Sequence, residues 1–363
     1  MRAVMAGCGR MSRTWLEAAA RIEDLRIVGL VDLDPTLAAS VAARHGLADA
    51  AIGNDLSAML RDTAPDAVFD VVVPDARAAV VTTALQAGCH VLSEKPMAAS
   101  MAEAQSLVAA ARRAARIHAV VQNRRYIPGV RRLRRFLACG ALGTVHGVHC
   151  DFFLGPHFGG FRETMSHVLL LDMAIHTFDV ARLLCGANPH SVSCVEWNPA
   201  GSWYADGACA IAIFTMQNGT VFSYRGSWCA EGLQTSWEAA WRIIGTGGTL
   251  TWDGAEAMSC ETLAGARNDG DLFAPTRPIT IPPLDPSDRI GGHLGVMQDF
   301  VAAVRGGAEP ETVGHENIRS LGMVFGAIDS AQTGRTVEIN EREARPGGSA
   351  PWAPAGGRRP QTP

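Results

Sequence analysis

Residues 2–12 run Arg2-Ala3-Val4-Met5-Ala6-Gly7-Cys8-Gly9-Arg10-Met11-Ser12, a short apolar stretch broken by a glycine turn and followed by the helical pattern of Trp15, Ala18 and Ile22. Glycines in a G-x-G-x-x-S turn let the backbone approach a pyrophosphate while the next helix aims its N-terminal N–H groups at the negative charge. A plain strand-to-helix turn has the same spacing, and Ser12 stands where a third glycine is common. The context decides between them. A second apolar run, 26–31, ends at Asp32, about 20 residues past the turn. A carboxylate there accepts hydrogen bonds from ribose hydroxyls and repels a 2′-phosphate, which favours NAD over NADP. An acid at this strand end also holds the ribose of a methyl donor, so a methyltransferase is the rival that the chemistry below must displace.

Outward from this turn the pattern alternates. Helices are expected over 35–45, 57–61, 77–87 and 101–116, and apolar strands over 67–73, 90–93 and 119–122. Strands alternating with helices read as parallel βαβ units with right-handed crossovers. From about residue 143 the runs become longer and β-branched, over 145–153, 191–197, 208–216, 220–227 and 238–245, with Gln217-Asn218-Gly219 as a tight turn between two of them. The second part therefore reads as an antiparallel sheet. Helices over 170–184, 295–304 and 315–333 are expected to cover one of its faces, leaving the other for a partner subunit. The expected fold is α/β: a Rossmann domain over 1–122 and an α+β domain over 123–344 with a large, mostly antiparallel open sheet. The Pro-, Gly- and Ala-rich stretch 345–363 is expected to be disordered.

Composition narrows the function. With 363 residues, 47% apolar, 19% charged and a net charge of -4, the chain gives no electrostatic reason to expect nucleic acid or an anionic membrane as a partner. Nine cysteines, an odd number without a C-x-x-C pair, fit a reduced cytoplasmic chain, and no segment reads as a secretory signal or membrane span. Of 32 basic residues a single one, Lys95, is lysine. Where arginine stands almost everywhere a cation is wanted, a surviving ammonium marks a place for a compact donor rather than a planar fork.

That lysine lies in Ser93-Glu94-Lys95-Pro96, at the C-terminal end of an expected parallel strand, the edge on which open α/β sheets bind ligands. A lysine in such a loop is ordinarily solvated; an acid and a proline on either side fix this one's direction. A second constellation, Leu171-Asp172-Met173-Ala174-Ile175-His176-Thr177-Phe178-Asp179, sets Asp172 and His176 four apart on one face of an apolar helix. An ordinary helix could satisfy such a histidine with the neighbouring acid alone. The apolar flanks make these polar groups costly unless paired or used. No acid or cysteine cluster offers further ligands at metal spacing, so no metal is expected.

Together, Gly7-x-Gly9-x-x-Ser12, Asp32, Ala87-Gly88-Cys89-His90-Val91-Leu92-Ser93-Glu94-Lys95-Pro96, Asn123-Arg124-Arg125-Tyr126, Gly140-x-Leu142-Gly143-x-Val145, Asp172-x-x-x-His176-x-x-Asp179 and Thr333-Gly334-Arg335-x-Val337 resemble the Gfo/Idh/MocA family of sugar and cyclitol dehydrogenases, over about residues 2–340. The resemblance implies hydride transfer between NAD(P) and a hydroxyl or keto carbon of a sugar, sugar derivative or cyclitol. It further implies a homodimer or homotetramer assembled through the second sheet. Carried over by position, Gly7, Gly9, Arg10, Met11, Ser12, Asp32, Glu94, Lys95, Pro96 and Asn123 would hold the cofactor. Lys95, Arg124, Tyr126, His167, Asp172 and His176 would meet the substrate. His176 would move the hydroxyl proton, Lys95 stabilise the reacting oxygen, and Asp172 hold a neighbouring hydroxyl.

Two departures concern the substrate pocket. Arg77 stands where many members have a histidine, and Arg162-Glu163-Thr164-Met165-Ser166-His167 replaces a glycine-rich stretch. A redox-neutral glycosidase on the same scaffold and a non-catalytic dinucleotide-binding regulator are the alternatives. Regulators of this kind would be expected to lose the lysine or the histidine, and this chain keeps both.

Overall fold

The computed structural model describes residues 1–339. Its contacts divide into two units, Met1–Ile127 with Arg289–Leu321, and Pro128–Asp288 with the described chain from Gly322 onward. The expected tail over 345–363 lies outside the described residues.

The first unit begins with β1 (Arg2–Ala6), α1 (Ser12–Ala19), β2 (Arg26–Val31), α2 (Pro35–Arg44), β3 (Ala51–Gly53), α3 (Leu56–Thr63), β4 (Ala67–Asp70), α4 (Pro74–Gln86), β5 (His90–Ser93), α5 (Met101–Ala114) and β6 (His118–Val120). The strands are parallel in the order β3-β2-β1-β4-β5-β6, six strands among the described residues. This is the doubly wound order that places the chain reversal beside β1 and β4, where a dinucleotide site forms. β1 and β4 are buried along almost their whole length because helices cover both faces of a parallel sheet. Local chemistry sets the helix starts. Asp34 caps α2 on the Thr36 N–H, Asp55 caps α3 on Ala58, and Ser100 caps α5 on Glu103. The short β3 has too few apolar residues to stand out in the sequence.

The second unit contains α6 (Pro128–Ala138), β7 (Val145–Phe153), α7 (Ile175–Cys185), β8 (Pro189–Trp197), β9 (Cys209–Met216), β10 (Val221–Ser227), β11 (Ala240–Gly245), β12 (Gly248–Trp252), β13 (Met258–Leu263) and β14 (Thr276–Pro278). The chain continues through α8 (His293–Val304) and α9 (Gly314–Thr333) to β15 (Val337–Glu338). The sheet order is β14-β13-β12-β11-β7-β10-β9-β8-β15, nine strands among the described residues and mostly antiparallel. One pair departs from the expected meander: β7 and β10 run parallel. β9 and β10 form the hairpin closed by Gly219, whose φ of 84 suits glycine. Under the sheet, Phe178 of α7 meets Phe214 at 4.9 Å and Tyr224 at 5.2 Å in edge-on contacts, which fixes α7 against β9 and β10.

Two expectations are corrected here. The helix expected over 170–184 starts as a π-helical stretch, Leu169–Ala174, that passes directly into α7. Asp172 thus sits on the wider turn and His176 on the regular one. The helix expected over 295–304 to cover the large sheet instead packs in the first unit. Val296, Met297, Phe300 and Val301 of α8 join Trp15, Phe69 and Tyr126 in one buried cluster, with the Phe69 and Phe300 rings 6.3 Å apart. Its apolar stripe found the Rossmann core, a choice that periodicity alone does not reveal.

Candidate active site

In the first unit the glycine turn leaves β1 with Gly7 at a φ of 95, where a Cβ would come within 2.7 Å of the Val71 backbone. No other residue fits that position. A Cβ on Gly9, by contrast, would meet nothing within 4 Å, so this part of the turn is open to a ligand. Ser12 folds its hydroxyl back onto the Gly9 carbonyl at 2.7 Å and so stiffens the turn that a third glycine would leave bare. Arg10 and Met11 are exposed at its tip. Asp32 accepts the Cys8 N–H at 2.7 Å and the Asp34 N–H at 3.0 Å, which ties the end of β2 to the turn.

At the end of β5, Glu94 is committed to the protein. Its Oε1 accepts Trp15 Nε1–H at 2.8 Å and faces His293 Nε2 at 3.4 Å, and its Oε2 accepts the Lys95 N–H at 3.0 Å. Burial alone would raise this carboxyl, but His293, Trp15 and the Lys95 charge hold it at about 2. His293 Nδ1 lies 3.5 Å from Asn123 Nδ2, so the imidazole bridges Glu94 and Asn123. Sequence reasoning missed His293; its one signal was its position after Gly291-Gly292, both with positive φ, at the start of a helix. Beyond β6, Asn123 Oδ1 and both Gln122 side-chain atoms are buried without a hydrogen-bond partner. Such orphaned amide groups on the carboxyl edge of a Rossmann sheet suit a ligand that both donates and accepts. A nicotinamide dinucleotide meets that description, so the residues present fit it.

Lys95 precedes a cis Pro96 and is the one residue over 91–99 that is not buried. Beneath it runs a buried polar chain. Arg77 pairs with Asp70 and donates to the Val72 and Pro96 carbonyls; His118 Nε2 lies 3.1 Å from Ser93 Oγ. Arg77 is 1% exposed, so the expectation that it touches the substrate pocket is corrected: its guanidinium is committed to this interior network. Tyr126 and Arg124 are also turned inward. Tyr126, 1% exposed, donates its hydroxyl to Asp299 Oδ2 at 2.7 Å.

In the second unit every residue over 168–182 is buried except His176. Asp172, on the π-helical stretch, is clasped by Arg162, with Nε to Oδ2 at 2.7 Å and Nη2 to Oδ1 at 3.4 Å. His167 adopts a φ of 52 and gives both ring nitrogens to the protein, Nδ1 to Glu196 and Nε2 to Gln332 at 3.1 Å. Burial disfavours its charge, yet Glu196 and Asp206 raise its pKa above the usual value. No group of His, Cys, Asp or Glu among the described residues is placed to hold a metal ion.

Two family models match this chain. One, described as the oxidoreductase family, NAD-binding Rossmann fold, covers residues 1–122; the other, the GFO/IDH/MocA C-terminal domain, covers 130–251. Among relatives, the D-apiose dehydrogenase of Paraburkholderia graminis is 26% identical over 355 residues, covering 94% of this chain and 91% of that protein. The 1,5-anhydro-D-fructose reductase of Ensifer adhaerens is 24% identical over 348 residues, covering 92% and 97%. Among solved structures, an oxidoreductase from Agrobacterium radiobacter in complex with NAD+, L-tartaric acid and magnesium superposes with a TM-score of 0.82 at 21% identity, covering 93% of this chain and 98% of that one. At that identity the likeness concerns the fold.

Proposed function

This chain belongs to the Gfo/Idh/MocA oxidoreductase family and carries its NAD-binding Rossmann domain, and from that premise we propose that it is a dehydrogenase or reductase of a sugar, sugar derivative or cyclitol with Lys95, Asp172 and His176 as its reacting groups. The observation that carries the reading is a pattern of exposure. In two segments otherwise buried from end to end, the side chains left partly open are an ammonium at Lys95 and an imidazole at His176. A polar group left accessible in an otherwise buried segment escapes the cost of desolvation and stays available to a ligand.

The glycine turn and Asp32 would hold a nicotinamide dinucleotide, which would supply the hydride acceptor or donor for the substrate carbon. His176 takes the hydroxyl proton, so one CH–OH becomes a carbonyl as a hydride and a proton leave. Lys95 donates a hydrogen bond to the reacting oxygen and stabilises its growing charge. Asp172, pinned by Arg162, fixes a neighbouring hydroxyl. Glu94 and Asn123, joined through His293, brace the cofactor edge. Asp32 favours NAD over NADP by repelling a 2′-phosphate.

Val195, Trp197, Ile211, Ile213 and Val221 lie exposed on neighbouring strands β8, β9 and β10, which supports a second copy covering that face. Light scattering on an Ile213→Glu variant reads it: loss of the oligomer supports this interface, and an unchanged mass removes it. Nine cysteines present as thiols fit a reducing, cytoplasmic setting. No helix among the described residues is long and apolar enough to cross a membrane.

The functional experiment is a panel of sugars, sugar acids and cyclitols, with NADH formation followed by absorbance and the reverse reaction tried with the matching keto compounds. Turnover with stoichiometric NADH supports the reading. Cleavage of chromogenic glycosides without NADH accumulation would replace it by redox-neutral hydrolysis, and NADH binding without any turnover by a regulatory role.

A further inference from the structure

The guanidinium of Arg162 is used along one edge only. A guanidinium has five N–H donors arranged as two forks, a side-on pair from Nε and one Nη, and an end-on pair from the two Nη atoms. Here the side-on fork is taken by Asp172, through Nε at 2.7 Å and Nη2 at 3.4 Å. Among the described residues nothing accepts from Nη1, and the Arg162 side chain is 29% exposed against 8% for Asp172. The end-on fork is therefore accessible beside the carboxylate that holds the substrate in the function proposed above.

The surroundings fix this arginine in place. Its Cζ lies 4.8 Å from the centre of the Phe161 ring and 5.2 Å from that of Phe158, so aromatic faces restrain the cation. The loop that carries it is tied down at several points. Pro156 O accepts both Tyr204 Oη–H at 2.7 Å and Trp203 Nε1–H at 3.1 Å, and Glu163 O accepts the Ala205 N–H at 2.8 Å. At Gly155 a Cβ would approach Ala230 O to 2.7 Å, so the loop sits close against its neighbour. A guanidinium held this firmly keeps its geometry without needing substrate to order it.

We propose that Arg162 is a specificity-determining residue and that the substrate is a sugar acid, an aldonate or uronate whose carboxylate docks on the end-on fork of Arg162. The inference rests on the dehydrogenase reading and narrows its substrate class. Two coplanar oxygens match two parallel N–H bonds, which a single hydroxyl does not. The oxidation itself is unchanged: the hydroxyl carbon gives a hydride to NAD+ and its proton to His176, and the carboxylate stays intact.

The test uses the full-length protein and matched pairs that differ in the acid alone, glucose with glucuronate, galactose with galacturonate and glucitol with gluconate, plus the corresponding sugar phosphates. We expect kcat/KM for the best acid to exceed that of its neutral partner at least tenfold. Arg162→Met should collapse this ratio toward one through KM, and Arg162→Lys, which keeps charge without the fork, should recover only part of it. Neutral sugars or sugar phosphates preferred by the unaltered protein, or an acid-to-neutral ratio that survives Arg162→Met, would overturn the proposal. If no compound turns over, the dehydrogenase reading fails by itself. Calorimetry of gluconate and glucuronate with the NADH-loaded protein then decides separately. Binding that Arg162→Met abolishes while NADH affinity persists upholds the arginine's role, and absence of binding removes it.

Discussion

Arg77 Nε lies 2.9 Å from Asp70 Oδ2 inside the Rossmann unit, with the two side chains 1% and 0% exposed. Burial drives the Asp70 carboxyl upward in pKa, while Arg77, Ser93 Oγ and the Val72 N–H oppose it. The same guanidinium donates to the carbonyl of Pro96, the residue after Lys95. An ion pair of this kind adds little net stability over an apolar pair, yet removing one member strands a buried charge. Its position beneath the Lys95 loop makes it a brace for that loop.

Arg77→Met should therefore cost about 3–5 kcal/mol of folding stability, read from urea unfolding. A loss under about 1 kcal/mol would show that water or rearrangement replaces the guanidinium, and that Asp70 is not stranded. Turnover should fall beyond what the lost stability explains, because the Pro96 carbonyl loses its donor.

Acid should unfold the Rossmann unit in two windows. His118 is pushed down to about 4 from 6.5 by burial and the nearby Arg77. As pH falls from 6.5 to 4 the unfolded chain binds a proton there that the native chain refuses, so stability drops, by roughly 3 kcal/mol. Glu94 stays ionised in the native state to about 2, against 4.5 unfolded, so its contribution is present above 4.5 and is lost as pH falls toward 2. His118→Gln should flatten the upper window and leave the lower; urea midpoints from pH 7 to 3 read both. An unchanged upper slope in that variant would contradict the assignment.

Asp32→Ser should raise the NADP-to-NAD preference about tenfold to a hundredfold, the range expected when one charge-assisted hydrogen bond is lost. The variant also gives up the bond to the Cys8 N–H, so affinity for both cofactors should weaken. Dissociation constants from cofactor fluorescence check it, and an unchanged ratio would show that Asp32 does not face the ribose.

Much of this was legible in the sequence because local patterns carried it. The turn over Gly7–Ser12, the strand-end Asp32 and the alternation of elements specified a parallel βαβ sheet and five of its strands, while the short β3 and the strand order came from the structure. Lys95 stood out as the one lysine at a strand end and His176 as a histidine four positions past Asp172 in an apolar helix, and the structure leaves those same two partly exposed. What escaped depends on tertiary partners. The stripe of α8 looks the same whichever sheet it covers, and Phe69 and Trp15 decide that it belongs to the first unit. Arg77 and Tyr126 carry no sequence sign of facing inward; Asp70 and Asp299 draw them there. Arg162 could be noticed only as a departure, since its meaning lies in the carboxylate ten positions later in the chain.

The central claim is that the ammonium of Lys95 and the imidazole of His176 act on one substrate carbon. Turnover of the best substrate from the panel, measured for Lys95→Met, His176→Gln and the double variant alongside NADH affinity, tests it most directly. Each single change should lower kcat by roughly two to four orders of magnitude with cofactor affinity intact, and the double variant should be little worse than the weaker single one, as for groups that act as a unit. Wild-type turnover in either single variant would contradict the account.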